Sequence, residues 1–426
     1  MSVKFEPKPA ERVVDSIPSI WNEFSALAIS NDAVNLGQGF PDGPAPKFVT
    51  EHLRQIAKKP EEPVAHQYTR GYGHPELVNV LAKWYTSFYK TDVNPMHDIL
   101  ITVGAYHALY YAFLGWLNEG DEAIIIEPAF DCYAPQIKFA GGVPVPVSMT
   151  LPEGATHASE YSINFEEMEQ KATDKTKILV INNPNNPTGK LFTMIELKKL
   201  AEFAKRHNLI VIADEVYEFH VYNPSQMIRF ASLPGMYERT ISIGSAGKVF
   251  SVTGWKLGWA IAPETLLSPL KEIHQNCTFA CSTPTQLAVA RAFETEWVKV
   301  LTKPRESYLA TILPEELLKK RNEMEKMLTK GGFLPIIPDA GYFMLASFSR
   351  IPTGIDYEVH DETPADIVFS KWLCTEKKLV VIPVSVFFSA KEEKQANAGH
   401  IRVCFFKKDQ TLNRAKSILR KLHQNP

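Results

Sequence analysis

Short apolar runs and helical patterns alternate along the middle of the chain, from about residue 95 to 265. The runs are Ile99–Val103, Ala123–Ile126, Ile178–Ile181, Ile210–Ala213 and Thr240–Ile243, all rich in β-branched residues. Between them, Tyr106–Leu117 and Thr193–His207 carry helical patterns. This alternation predicts an α/β fold with a largely parallel sheet wrapped by helices. Small or polar residues follow nearly every run: Gly104-Ala105-Tyr106, Pro128-Ala129-Phe130, Asn182 to Gly189, Asp214, and Ser245 to Lys248. In open α/β sheets ligands bind beyond the carboxyl ends of the strands, so separate segments deliver candidate groups to one edge.

After about residue 310 the texture changes. A helical stretch, Pro314–Lys330, leads to Gly341-Tyr342-Phe343-Met344, then to Leu379–Ile382 and Ile401–Phe406. A closing amphipathic helix sets Leu412, Ala415, Leu419 and Leu422 on one face, with Asp409 as its expected N-cap. The expected organisation is an N-terminal arm (1–48) joining the small domain, a large domain (49–309) and a smaller α+β domain (310–426).

Composition narrows the class. With 426 residues, 45% hydrophobic and 22% charged, the chain can bury a large core like any ordinary globular protein. A formal net charge of −2 gives no electrostatic case for nucleic acid or an anionic membrane. The longest apolar stretch, Ala105–Leu117, is too short to span a bilayer. The opening MSVKFEPKPAERVVDS has no apolar signal core, and its acidic residues argue against a mitochondrial leader, so a cytoplasmic protein is expected. The cysteines, Cys132, Cys277, Cys281, Cys374 and Cys404, are odd in number and scattered, which suggests reduced thiols. Cys277 and Cys281 lack a second Cys/His pair and read as buried small hydrophobes; no metal is expected.

The chemistry concentrates in two segments. Ser245-Ala246-Gly247-Lys248 sets one lysine among small residues after an apolar run, and Asp214-Glu215-Val216-Tyr217 closes another. A lysine able to shed its proton, a carboxylate and a phenol are the groups needed to hold and tune pyridoxal 5′-phosphate. The lysine bonds the cofactor, the carboxylate keeps the pyridine nitrogen protonated, and the phenol hydrogen-bonds the ring oxygen. Gly104 and Ala105 end a strand and open a helix, where backbone N–H groups favour an anion such as a phosphate. Gly37, Gly39 and Gly43 imitate a dinucleotide fingerprint, but Pro41, Pro44 and Pro46 prevent the helix that would hold a pyrophosphate.

Taken in order, a series of stretches resembles the fold-type I, class I/II aminotransferases that depend on pyridoxal phosphate. They are NLGQGFPDG (35–43), QYTRGYGHPEL (67–77), TVGAYHAL (102–109), IIIEPAFDCY (124–133), NNPNNPTGK (182–190), ADEVYEFHVY (213–222), SIGSAGKVFSVTGWKLGW (242–259), IPVSVFFS (382–389) and IRVCFF (401–406). Within that family the chain is most similar to the kynurenine aminotransferase group, also known as glutamine transaminase K or cysteine-S-conjugate β-lyase. The resemblance implies an aspartate aminotransferase-like fold, its large domain built on a mostly parallel seven-stranded sheet beside a smaller α+β domain, and a homodimer with shared active sites.

Residue by residue, it implies that Lys248 carries the cofactor and serves as base and acid, while Asp214 pairs with the pyridinium nitrogen. Tyr217 and Asn186 would bond the ring oxygen. Tyr106 would stack on the ring, Ser245 and Lys256 would complete the phosphate cradle, and Tyr68 would reach the neighbouring subunit's phosphate. Many family members carry arginine at the Lys256 position, so here a point charge replaces a planar fork. Arg402 would clamp the substrate carboxylate bidentately, with Gly39 letting backbone approach the same group.

Trp21, Tyr106, Phe130, Phe279, Tyr342 and Phe387 are the candidate walls of an aromatic-rich side-chain pocket. Ala129 and Ala280 stand where relatives have an aromatic residue and a histidine, and both losses are expected to widen that pocket. The implied reaction is ping-pong transfer of an amine from an aromatic or sulfur-containing amino acid to a 2-oxo acid. L-Kynurenine is the preferred donor, followed by glutamine, methionine, phenylalanine and tryptophan. C–S β-lyase chemistry is the alternative enzyme class. A cofactor-sensing transcription regulator would need a DNA-binding module, and the segment before Asn35 carries no helix-turn-helix pattern or basic excess.

Overall fold

The computed structural model describes residues 6–13, 20–355 and 363–424. Residues 1–5 and 14–19 of the expected N-terminal arm therefore lie outside the described residues. Each expected run becomes a strand: Ile99–Thr102, Glu122–Glu127, Thr176–Asn182, Ile210–Asp214 and Thr240–Ser245. Side chains of the central strands alternate between two cores. Ile124, Leu179, Val211 and Ala213 enter one, while Ile125, Ile178, Val180, Ile212 and Ile241 enter the other. A strand buried on both faces has no polar side to display, which is why these segments read as continuous apolar runs.

Eight strands form the large sheet, in the order Ile99–Thr102, Gly258–Ile261, Thr240–Ser245, Ile210–Asp214, Thr176–Asn182, Glu122–Glu127, Val143–Thr150 and Ser162–Ile163. Gly258–Ile261 runs antiparallel to both neighbours, and Ser162–Ile163 is a two-residue antiparallel edge. Sequence reasoning missed the strand Val143–Thr150 because Pro144 and Pro146 interrupt it. Both prolines fall on the same side of the strand. Its only other neighbour pairs at Met149 and Thr150, so the missing N–H groups face an open edge. There the Lys171 ammonium donates to the Pro146 carbonyl over 2.6 Å.

Helices start where the chain supplies partners for their first N–H groups. Met194–Arg206 opens on Thr193, whose side chain accepts from Glu196 N, while the Glu196 carboxylate returns to Thr193 N. Such a capping box contributes about 1 kcal/mol. The last helix, Asp409–Gln424, begins differently from expectation. Asp409 lies inside the first turn and takes the Lys320 ammonium at 3.2 Å. The capping carboxylate comes instead from Asp42, which accepts from Lys408 N at 2.6 Å and Thr411 Oγ1 at 2.5 Å. A cap supplied from so far away in the chain leaves no local pattern.

A second, four-stranded antiparallel sheet orders Leu334–Ile336, Phe343–Ser347, His400–Cys404 and Ile382–Pro383. Arg402 sits on its inner strand, in register with Leu345 on one side and Ile382 on the other. The short strand Val34–Asn35 pairs in parallel with Leu379–Val380, which brings the segment 36–43 beside this sheet. No described helix is long and apolar enough to cross a membrane. All the cysteines are free; Cys281 is buried as expected, but Cys277 is exposed on the last turn of helix Glu264–Cys277.

Candidate active site

Register brings the chemistry together. Asn182 lies opposite Asp214 and Ser245 opposite Gly258, so strand ends and the strand start at Gly258 meet at one edge. Beyond that edge is a cavity of about 310 Å³. Its walls include Trp21, Gly39, Gly104, Ala105, Tyr106, Phe130, Asn186, Asp214, Tyr217, Ser245, Lys248, Lys256 and Arg402. Of the residues expected to hold the cofactor or the substrate carboxylate, Tyr68 alone stands apart from it. Tyr68 is 83% exposed and meets Phe279, itself 49% exposed, edge-on at 5.2 Å.

Lys248 reaches the cavity from the four-residue helix Ala246–Val249. Its ammonium form is disfavoured chiefly by burial, and further by Arg402 and Lys256, against pulls from Cys404 and Asp214; the amine is pushed down to about 8. Asp214, 3% exposed, ends the adjoining strand. Burial raises its carboxyl to about 6, although Tyr133 Oη donates to Oδ2 over 2.6 Å. Val216 N–H adds a longer bond to Oδ1 at 3.4 Å, and a carboxylate so buried still calls for a further positive or protonated partner. Tyr217 is buried with its ring edge toward Tyr342 at 5.2 Å, and Lys248 Nζ lies 5.4 Å from the Tyr217 ring centre.

At the other end of the cavity, helix Ala105–Trp116 points its N-terminus inward from Gly104. Close backbone approach there depends on Gly258, where a Cβ would stand 2.5 Å from Ala105 N and 2.6 Å from Gly104 C. Lys256 Nζ lies 3.4 Å from where a Gly104 Cβ would be, so a cation joins the helix end. An amine, a buried carboxylate, a phenol and a helix terminus with a lysine thus surround one space. These groups fit pyridoxal 5′-phosphate from its ring nitrogen to its phosphate.

Arg402 is 1% exposed and boxed by aromatic rings, with Phe343, Phe387 and Trp21 centred 4.0, 4.9 and 5.1 Å from its guanidinium carbon. Nη1 donates to Asn186 Oδ1 over 2.8 Å and Nη2 to Gly37 O over 3.0 Å. Its Nε has no hydrogen-bond partner among the described residues, and burial pushes the group down to about 10. Gly39 must lack a side chain because a Cβ would sit 2.6 Å from Phe343 Cζ.

The aromatic wall differs in membership from the expected six, since Tyr217 and Phe343 also line it. Trp21, Tyr106 and Phe130 line the cavity, and Tyr106 meets Phe130 edge-on at 6.1 Å. Phe387 is buried behind, against Trp21 and Arg402, and Tyr342 is buried beside Lys248; Phe279 lies outside. Ala129 is buried with its N–H on Phe387 O, Ala280 adjoins Phe279, and neither lines the cavity.

Three contributors escaped sequence reasoning. Tyr133 supplies the donor to Asp214. Asn182 ties the edge together, giving Nδ2–H to Asp214 O at 3.0 Å and accepting Asn186 N at 2.7 Å. Asp131 Oδ2 accepts Trp21 Nε1–H at 2.6 Å and so fixes a cavity wall. Tyr133 and Asp131 sit in the quoted IIIEPAFDCY stretch; the usable signal was that a buried carboxylate and a buried indole both need partners.

Comparison with known proteins agrees with this geometry. The family model for aminotransferase class I and II matches residues 31–419. Kynurenine–oxoglutarate transaminase 3 of Rattus norvegicus is 42% identical over 99% of this chain and 91% of its own length. Kynurenine–oxoglutarate transaminase 1 of Homo sapiens is 41% identical over 94% of this chain and 95% of its own. The solved structure of Bna3p from Saccharomyces cerevisiae superposes with a TM-score of 0.89 at 31% identity, covering 98% of this chain and all (100%) of that one. The chain therefore belongs to the class I and II aminotransferases and is an enzyme that works with pyridoxal 5′-phosphate.

Proposed function

We propose that the enzyme moves the amine of an aromatic or sulfur-containing L-amino acid, foremost L-kynurenine, to a 2-oxo acid in a ping-pong cycle. The observation that carries this reading is the cavity itself: Arg402 beside an apolar wall of Trp21, Tyr106 and Phe130. An amino acid clamped there by its carboxylate lays its side chain against aromatic faces; among the described residues the other cations on the cavity wall, Lys248 and Lys256, are those assigned to the cofactor. Relatives carrying the kynurenine–oxoglutarate transaminase name over nearly the whole chain support the same donor.

Each residue then has a task. Bound pyridoxal phosphate supplies an electron sink for bonds at the substrate's Cα. Lys248 holds the cofactor and afterwards moves the Cα proton at its Nζ. Asp214, steadied by Tyr133, keeps a proton on the ring nitrogen. Tyr217 and the Asn186 amide bond the ring oxygen; Asn186 accepts from Arg402 through Oδ1, which leaves Nδ2–H to donate. Gly104, Ala105, Ser245 and Lys256 hold the phosphate, and Tyr106 covers the ring. Arg402 fixes the carboxylate so that the Cα–H stands across the ring plane.

The exposed pair Tyr68 and Phe279 supports a homodimer in which Tyr68 completes the partner's phosphate site. We further propose the division into an arm (1–48), a large domain (49–309) and a small domain (310–426), and a cytoplasmic setting.

Cofactor uptake should depend on pH. Only the free-base amine attacks, so the rate at which cofactor-free protein captures pyridoxal phosphate should rise as pH climbs through about 8, then level. The folded value lies below the usual 10.5, so folding also gains stability between those limits as pH rises, and forfeits it as pH falls through 8. Stopped-flow absorbance across that range checks both position and sign; a flat profile removes Lys248 from the capture step.

Donor preference is tested by half-reactions. Holoenzyme mixed with single amino acids should lose its cofactor absorbance with kynurenine, glutamine or phenylalanine, and respond weakly to aspartate. Response to aspartate alone would overturn the proposed substrate class. Pyruvate released from an S-aryl cysteine without any oxo acid would assign the main activity to C–S cleavage.

A further inference from the structure

The Tyr342 hydroxyl closes a ring of hydrogen bonds with the Lys248 amine and the Gly39 carbonyl. Lys248 Nζ donates to Tyr342 Oη over 2.9 Å and to Gly39 O over 3.1 Å, and Tyr342 Oη donates to Gly39 O over 2.8 Å. A neutral amine has two hydrogens. Both are taken here, so its lone pair is the part left to face the cavity that Lys248 lines.

The surroundings hold Tyr342 to this arrangement. It is 1% exposed, and its ring is edge-packed by Tyr217 at 5.2 Å and His220 at 5.3 Å. Burial above all raises its phenol far beyond the ordinary value, so the hydroxyl keeps its proton. His220, behind it, has neither ring nitrogen hydrogen-bonded among the described residues, and burial followed by Lys248 pushes it down to about 3. It stays neutral, and neither of its nitrogens takes the hydroxyl; the Tyr217 phenol is the other group within hydrogen-bonding reach of it.

We propose that Tyr342 is a further catalytic residue, whose hydroxyl receives the Lys248 amine whenever that amine is not bonded to the cofactor and steadies the proton it carries. The proposal rests on the assignment of Lys248 given above. When Nζ takes a proton from the substrate's Cα it becomes an ammonium. Two of its N–H bonds rest on Tyr342 Oη and Gly39 O, and the third hydrogen is the one to be handed on. The tyrosine ends each cycle unchanged, its own proton still on Gly39 O. Without the hydroxyl the ammonium keeps a single fixed acceptor, so it is both less stable and free to swing.

Tyr342→Phe tests this, because it preserves the ring and removes only the oxygen. Losing one hydrogen bond to a charged group should lower kcat about tenfold. With α-deuterated donor the isotope effect on kcat should grow, because Cα–H cleavage becomes slower. In the cofactor-free protein, the pH midpoint for pyridoxal phosphate capture should fall below the parent's, since a lost acceptor disfavours the ammonium. A lower kcat with an unmoved isotope effect and unmoved midpoint would reduce Tyr342 to a structural role and overturn the proposal. So would parent-like values throughout. Lys248→Ala, measured alongside, separates the two levels: turnover persisting there sinks the lysine assignment, whereas an inactive Lys248→Ala beside a parent-like Tyr342→Phe sinks only the tyrosine.

Discussion

Lys248→Ala is expected to abolish transamination, lowering kcat by about 10⁴-fold or more while pyridoxal phosphate still binds without a covalent link. The size follows from two losses at one atom. The amine that bonds the cofactor is also the group that moves the Cα proton, and no other described amine occupies its place. Lys256 Nζ lies toward Gly104 at the phosphate end. Burial has already brought the Lys248 amine down to about 8, so roughly a tenth is free base at neutral pH, against about one part in three thousand for an ordinary lysine. Steady-state rates and the spectrum of the reloaded variant check this. A rate within about tenfold of the parent would remove Lys248 from the chemistry.

The second large effect is at Arg402. Arg402→Lys should cut kcat/KM by about 100-fold for every α-amino acid donor. A lysine preserves the charge and loses the planar fork that lies among Phe343, Phe387 and Trp21. It also leaves Asn186 Oδ1 and Gly37 O without their donors. Two hydrogen bonds to a charged group at about 1.5 kcal/mol each give about 3 kcal/mol, or two powers of ten. Because all donors share the carboxylate, the loss should be nearly uniform among them. A loss confined to one donor would point to a side-chain contact and contradict the clamp.

How much of this was legible in the sequence depended on whether the cause was local. The central strands were, because burial on both faces writes itself as a continuous apolar run, as in Ile178–Ile181 and Ile210–Ala213. Helix Met194–Arg206 was too, because its capping box lies within its own first turn. The edge strand Val143–Thr150 was hidden by prolines that only an open edge tolerates. The cap of the last helix was hidden for another reason: Asp42 reaches it from the far end of the chain.

The site divides in the same way. Lys248, Asp214, Tyr217 and Arg402 lie in segments distinctive enough to single out, and the fold gathers them around one cavity. Their supports, Tyr133, Asn182 and Tyr342, act through hydrogen bonds set by tertiary packing. Of the six aromatics expected to wall the pocket, Trp21, Tyr106 and Phe130 line the cavity within the single chain. An aromatic residue looks alike in sequence whether it lines a cavity like Phe130, backs it like Phe387, or stands in solvent like Phe279.

The account turns on where the cofactor is tethered. Borohydride treatment of the holoenzyme should lock the link, and peptide mass spectrometry should then find the phosphopyridoxyl group on the peptide containing Lys248. Finding it on a different lysine, or finding no modified peptide in fully loaded protein, would contradict the account.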